Sequence, residues 1–182
     1  MVNRDRDENY VLHKIVEMDD TLIGASTEGG KRERGAKKTK VLASVSLTKS
    51  GHPLYLKMRA IDDFKASTLS RAVGNSISPG TTISTDKFPS YNWLAKSGYN
   101  HLPEKFSLVD SPDHLKWLHT IISNVKAFII GTYHGLCSKH LQSYLDEYSY
   151  PFNRRKFEGQ LFNRLLNACI STPIITYGEL VA

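Results

Sequence analysis

Cysteine is nearly absent from this chain, and so are long apolar runs and internal repeats. The two cysteines, Cys137 and Cys169, form no CxxC pair, so a zinc ribbon or a disulfide framework has nothing to build on. Both fall in apolar-rich helical sequence and are expected to be reduced and buried. No stretch reaches the ~18 consecutive apolar residues that would read as a membrane span. The first residues, MVNRDRDENY, carry charge where a signal peptide needs an apolar segment. A cytoplasmic protein with no membrane partner is the expectation.

What is present fits one α/β domain. The 182 residues, 40% of them hydrophobic, are enough for a single good core. A formal net charge of +6 and a pI near 9.3 favour a polyanionic partner, because Lys and Arg gain affinity by releasing counterions from phosphates. Six of the ten residues 31–40 are Lys or Arg. Lys31, Arg32, Arg34, Lys37, Lys38 and Lys40 read either as a grip on a nucleic-acid backbone or as a solvated, mobile loop.

From His13 onward a polar lead-in gives way to short β-rich runs at 15–20, 41–47 and 54–61. Gly51, His52 and Pro53 form a turn between the last two, and the three strands are expected to make an antiparallel meander. Residues 65–77 predict a helix with Leu69 and Val73 on its buried side. Residues 81–85 are short and β-branched, as in a buried parallel strand, and deliver Asp86 at its C-terminal end. A short helix over 89–97 and a last strand over 106–109 follow. In residues 114–130 the apolar positions Leu115, Leu118, Ile122, Val125 and Ile129 alternate in spacing between three and four, the mark of one buried helical stripe. His119 and Lys126 lie two turns apart along its edge, and Gly131 is expected to end the helix. Further amphipathic helices are predicted over 138–149 and 157–170. A meander, a helix, a strand bearing an Asp and a late helix crossing the sheet is the order of a ribonuclease-H-like mixed sheet with added C-terminal helices.

Such a fold brings three distant points together. Metal-dependent phosphodiester chemistry needs hard carboxylate ligands for two ions about 3.5–4 Å apart, and Asp19 and Asp86 are the natural pair. An Asp in the middle of a strand is disfavoured and costly if it points inward, so Asp19 asks for a cation. Alternatives remain for each residue taken singly. Asp86 serves equally as a turn former or helix cap, His119 as a half-buried histidine, and Lys126 as a side chain with its stem packed and its amine in water. Tyr91 and Trp93 read as core. His114 and His119 point to different helix faces, which disfavours a zinc pair.

Several blocks decide among these readings. VEMDDTLIGA at 16–25, PGTTISTDKFPSY at 79–91, GYNH at 98–101, HLKWLHTIISNVKAFIIGTYHG at 114–135 and HLQSYLDEYSYPFNRR at 140–155 together resemble the catalytic domain of bacterial insertion-sequence transposases of the ISXO2-like kind, within the DDE superfamily, over about nine tenths of the chain. The resemblance implies a DNA transposase that cleaves insertion-sequence ends and transfers the strand to target DNA. It places the metal ligands on Asp19, Asp86 and His119, in the branch that has His third. Asp20 stands where the family usually has Glu. Lys126 is implied to contact DNA phosphate, joined by the basic loop and by Arg154 and Arg155, although helix-terminal arginines also offset the macrodipole.

A two-ion site for Mg2+ or Mn2+ follows, with imidazole better suited to manganese than to magnesium, and no small-molecule cofactor. The partners implied are double-stranded DNA and a second copy in a homo-oligomer on DNA, at the bacterial nucleoid. Residues 1–13 read as a lead-in and 14–182 as the catalytic domain, with the basic loop 26–40 inserted and the family's N-terminal DNA-binding domain absent. Two other readings use the same residues: a remnant that binds DNA without cutting it, and a ribonuclease or resolvase on the same fold.

Overall fold

The structure is a computed structural model that describes residues 10–24, 38–105, 113–133, 138–174 and 176–181. Strands β1 (Ile15–Ile23), β2 (Thr39–Leu47) and β3 (Pro53–Ile61) form the expected antiparallel meander. Gly51, at φ 76°, makes the turn between β2 and β3 with a conformation that costs other residues more. Helix α1 (Ala66–Gly74) then crosses to β4 (Thr82–Thr85), which runs parallel to β1, and β5 (Asn100–Pro103) runs parallel to β4. The sheet order is β3-β2-β1-β4-β5, a ribonuclease-H-like mixed sheet. Helices α2 (Lys116–Thr132), α3 (Leu141–Arg154), α4 (Leu161–Ser171) and α5 (Tyr177–Val181) complete the described chain.

Side chains that alternate along β1 divide the core into two layers. Val16 and Met18 face the side packed by Leu69 and Val73 of α1, together with Ile83, Tyr91 and Leu94. Val41, Ala43 and Val45 of β2 and Leu56 and Met58 of β3 pack on the other side, against Leu118, Ile122, Val125 and Ile129 of α2 and Leu141 and Leu145 of α3. The predicted apolar stripe of α2 is therefore the buried one. Of the two predicted core aromatics, Tyr91 is fully buried and Trp93 packs against the first layer from a partly buried position.

Strand β3 lies at a sheet edge, where unpaired backbone groups invite other strands. Helix α3 covers it with side-chain amides. Asn153 accepts the Leu56 N–H at 2.7 Å and donates to the Leu56 carbonyl at 2.9 Å. Gln142 accepts the Ala60 N–H at 2.8 Å and donates to the Met58 carbonyl at 3.0 Å. Each amide thus offers the edge one donor and one acceptor, as a neighbouring strand would. The Arg155 guanidinium extends the seal to the carbonyls of Leu54 and Pro53.

Several element boundaries depart from the sequence reading. Residues 89–97 form two separate 3-10 turns, Pro89–Tyr91 and Leu94–Lys96, in place of one helix. The last described strand is Asn100–Pro103, where pairing with β4 is available, while the strand expected over 106–109 lies outside the described residues. Helix α2 passes through Gly131 to Thr132, its stripe being buried as far as Ile129. Helix α3 runs beyond Pro151 to Arg154 because Asn153 is anchored on β3. Cys169 is exposed, contrary to expectation, since most of α4 faces solvent; Cys137 lies outside the described residues. Among the described residues no helix is long and apolar enough to cross a membrane.

Asn153→Ala leaves the Leu56 N–H without a partner in a buried setting, while the Leu56 carbonyl keeps the Tyr10 hydroxyl, so the loss should cost about 2 kcal/mol. The expected readout is a fall in Tm of roughly 4–8 °C for a chain of this length. An unchanged melting curve would remove the amide seal from the account of the fold.

Candidate active site

Odd-numbered residues in the centre of β1 face α2, and even-numbered ones face α1. Glu17 and Asp19 therefore meet the start of α2, whereas Asp20 points to the opposite layer. The parallel register pairs Glu17 with Ser84, and two further residues along each chain bring Asp86 beside Asp19 just past the end of β4.

Helix α2 is fixed to β1 at its first turn. Its backbone N–H groups there lack intrahelical partners, and no side chain of its own caps them. The buried carboxylate of Glu17 accepts the Leu118 N–H at 2.9 Å, a favourable place for a negative charge at a helix N-terminus. Leu115, just ahead of the helix, sits at φ 51° and ψ 27°, a left-handed conformation that is strained for a leucine. Its side chain is 2% exposed in the core beside α2, so packing holds a backbone that glycine would adopt more easily. The entry to α2 is thus set from two directions, and the next residue after Leu118 is His119.

His119 Nε2 lies 3.4 Å from Asp19 Oδ2. The other Asp19 oxygen accepts the Asp20 N–H at 2.8 Å. Burial pushes the Asp19 carboxyl up to about 6, and the neighbouring charges of Asp20 and Asp86 push in the same direction, against a backbone hydrogen bond and His119. Asp20 is raised as well, by burial and by Asp86, although the Tyr91 hydroxyl donates to its Oδ1 at 2.8 Å. The Tyr91 phenol is in turn pushed up by burial and by Asp20. Glu17 is raised by burial, opposed by the Leu118 N–H and by His119.

Asp86 is oriented by its own turn. Its Oδ1 accepts the Phe88 N–H at 3.1 Å. The Thr85 hydroxyl donates to the Asp86 carbonyl at 2.7 Å and lies 2.8 Å from His101 Nε2. The turn-forming role expected of Asp86 is thus present, at the strand end beside Asp19. His101 links β5 to the strand end from which Asp86 projects.

Among the described residues no group of three or more His, Cys, Asp or Glu stands together in ligating geometry. The chemistry of the set nevertheless fits a divalent metal: the charge of Asp86 raises the proton affinity of Asp19 and Asp20, the His119 imidazole stands against Asp19, and a cation placed beside these carboxylates would relieve the repulsion.

The predicted basic residues divide into groups. Lys126, partly buried two turns beyond His119, shares with Lys38 a groove of about 160 Å³ at the C-terminal end of β1, walled by Leu22, Ile23, Ile129 and Ile130. The Lys40 amine donates to the Asp62 carbonyl at 3.0 Å. Arg154 lies over the Tyr150 ring, 3.6 Å from its centroid, and Arg155 is engaged with the β3 carbonyls. Lys31, Arg32, Arg34 and Lys37 lie outside the described residues. His114 precedes α2 and pairs with Glu104 at 3.3 Å, apart from His119.

Sequence reasoning missed Glu17, Tyr91 and His101 as parts of this site. Glu17 was within reach of it: on a strand, the residue two before an inward Asp shares its face.

The family model described as ISXO2-like transposase domain matches residues 11–153. No curated protein matches the chain. Among solved structures, the Mos1 transposase paired-end complex with left transposon end is similar at 14% sequence identity and a TM-score of 0.34, covering 84% of this chain. The chain spans 57% of the length of that structure's chain.

Because the native Asp19 carboxyl holds its proton to about 6 against 3.8 ordinarily, the folded protein binds a proton that the unfolded chain has released between about pH 4 and 6. Stability of the metal-free protein therefore falls as pH rises through that window and levels above it. Asp19→Asn should reduce this slope, leaving the part that Glu17 and Asp20 contribute, and raise Tm near pH 7.5 by roughly 2–4 °C, about 1 kcal/mol. Thermal melts across the pH range check both; a slope as steep in the variant as in the wild type assigns it to other groups.

Proposed function

Since the chain belongs to the ISXO2-like transposase domain family, we propose that residues 14–182 are the catalytic domain of an insertion-sequence transposase. It cuts the DNA phosphodiester at an element end with divalent metal ions and joins the freed 3′-hydroxyl to target DNA. The observation that carries this reading is that Asp19, raised to about 6 by burial and by the charges of Asp20 and Asp86, lies 3.4 Å from His119 Nε2 at the junction of β1, β4 and α2. Buried carboxylates with raised proton affinity at strand ends are a feature of functional sites.

Asp19 and Asp86 would hold the metal and His119 would complete its ligands, with manganese suited at least as well as magnesium by the imidazole. A bound divalent ion supplies an activated attacking oxygen and charge relief at the leaving oxygen. The chain's own residues do the positioning. Glu17 fixes the helix that presents His119, Tyr91 holds Asp20 away from Asp19 on the opposite face, and the Thr85–His101 pair steadies the turn that presents Asp86. Lys126 and Lys38 would receive a phosphate in their shared groove, oriented by charge and without regard to base. Double-stranded DNA is the partner of this reading, and a homo-oligomer on DNA its working form.

Asp86→Asn should abolish strand transfer on end-bearing DNA while leaving the melting temperature within a few degrees of wild type. Full activity in that variant would refute the assignment. Manganese binding by the wild type that is lost in His119→Ala supports the enzyme, whereas no metal binding at all supports a remnant that only binds DNA.

Lys126→Ala should weaken duplex binding uniformly across sequences and lower the slope of log K against log salt by about 0.9, the contribution of one phosphate contact. Fluorescence anisotropy titrations over a range of salt read this directly. An unchanged slope would show that Lys126 touches no phosphate.

A further inference from the structure

Helix α4 carries an apolar face that the rest of the described chain leaves uncovered. Leu161, Phe162, Leu165, Leu166 and Ile170 follow one another at helical spacing and form a stripe over about half the circumference, yet Ala168 is the only described residue of the helix that is buried. Phe162 is 75% exposed, Ile170 76%, and Ile174 just beyond is 89% exposed. Beside the stripe runs a groove of about 680 Å³ whose opposite wall is Phe128, Tyr148, Pro151 and Phe152 of α2 and α3. Soluble domains seldom leave contiguous apolar patches larger than a few hundred Å² open to water.

The chemistry of this face selects its occupant. From Leu161 to Ser171 the only charged residue is Arg164, and its guanidinium lies over the Phe157 ring. DNA and anionic membrane surfaces both require rows of cations, so neither fits. The groove itself has one charged lining residue, Glu147, and Arg164 lies off the stripe, bonded to Gln160. An apolar groove of this kind accepts an amphipathic helix with anchors at three- and four-residue spacing, and α4 is such a helix, attached to the groove it would fill. A twofold axis lets the stripe of each copy enter the groove of the other, so that one operation covers both surfaces. The exposed parts of Phe162, Leu165, Leu166, Ile170 and Ile174 amount to on the order of 600 Å², which with the groove wall reaches the ~800 Å² per partner of a standard interface.

We propose that α4 and the groove between α3 and α4 form a homodimer interface, the occupant being α4 of a second copy. This surface uses none of the residues of the proposed active site, and its test needs neither DNA nor metal, so its outcome is independent of the transposase reading. Sedimentation velocity of the full chain over about a hundredfold range of concentration should show a reversible dimer. Phe162→Glu and Ile170→Glu should each raise the dissociation constant at least about tenfold. Both side chains are mostly exposed in the monomer, so dilute samples of the variants should melt as the wild type does. A wild type that stays monomeric throughout assigns the face to another occupant and overturns the proposal, as does a dimer that neither substitution weakens.

Discussion

One hydrogen bond ties the sheet to the helix on which the candidate site depends: the 2.9 Å contact from the Leu118 N–H to the buried carboxylate of Glu17. It joins the centre of β1 to the first turn of α2 across 101 residues of sequence. Because Asp19 lies two residues after Glu17 and His119 one residue after Leu118, fixing the first pair fixes the second. An acceptor placed at a helix N-terminus is also where a buried carboxylate is least costly. The same contact thus offsets the burial of a charge and sets the geometry of the imidazole.

Much of this arrangement was legible from the chain. The strands β1 to β3 were bounded by clear turn chemistry, and the three-and-four spacing in α2 named the residues that the structure buries. Asp19 stood out as an acid inside a strand, which conflicts with local preference, whereas Asp86 and His119 were ambiguous taken singly and entered the expected site through the family resemblance. What stayed hidden depends on which layer a side chain enters. Asp20, which stands where the family usually has Glu, is sent by strand alternation to Tyr91, which reads as core from its spacing. His101 gains meaning only once β5 lies beside β4, and the sequence reading marked no strand at 100–103.

The closing segment shows the limits of reading residues by type. Arg155 at a helix end suggests phosphate or the macrodipole, but the carbonyls at the start of β3 engage it. Asn153 and Gln142 look like ordinary surface amides, and their spacing of eleven residues is three helical turns, so both reach the same edge strand. Amide side chains carry a donor and an acceptor together, which suits them to a strand edge better than any charged residue. The polar character of α3 thus reflects the sheet it covers as much as the solvent.

That seal is made across a long interval of chain. Leu56 waits for Asn153, 97 residues later, and Ala60 for Gln142, 82 residues later. During synthesis at about 5–20 residues per second, the meander is complete and its outer edge bare for roughly 4–20 s before the covering helix is made. Over that interval the nascent chain offers neighbouring ribosomes an open β-strand, and any holding factor that shields it need act only until α3 arrives.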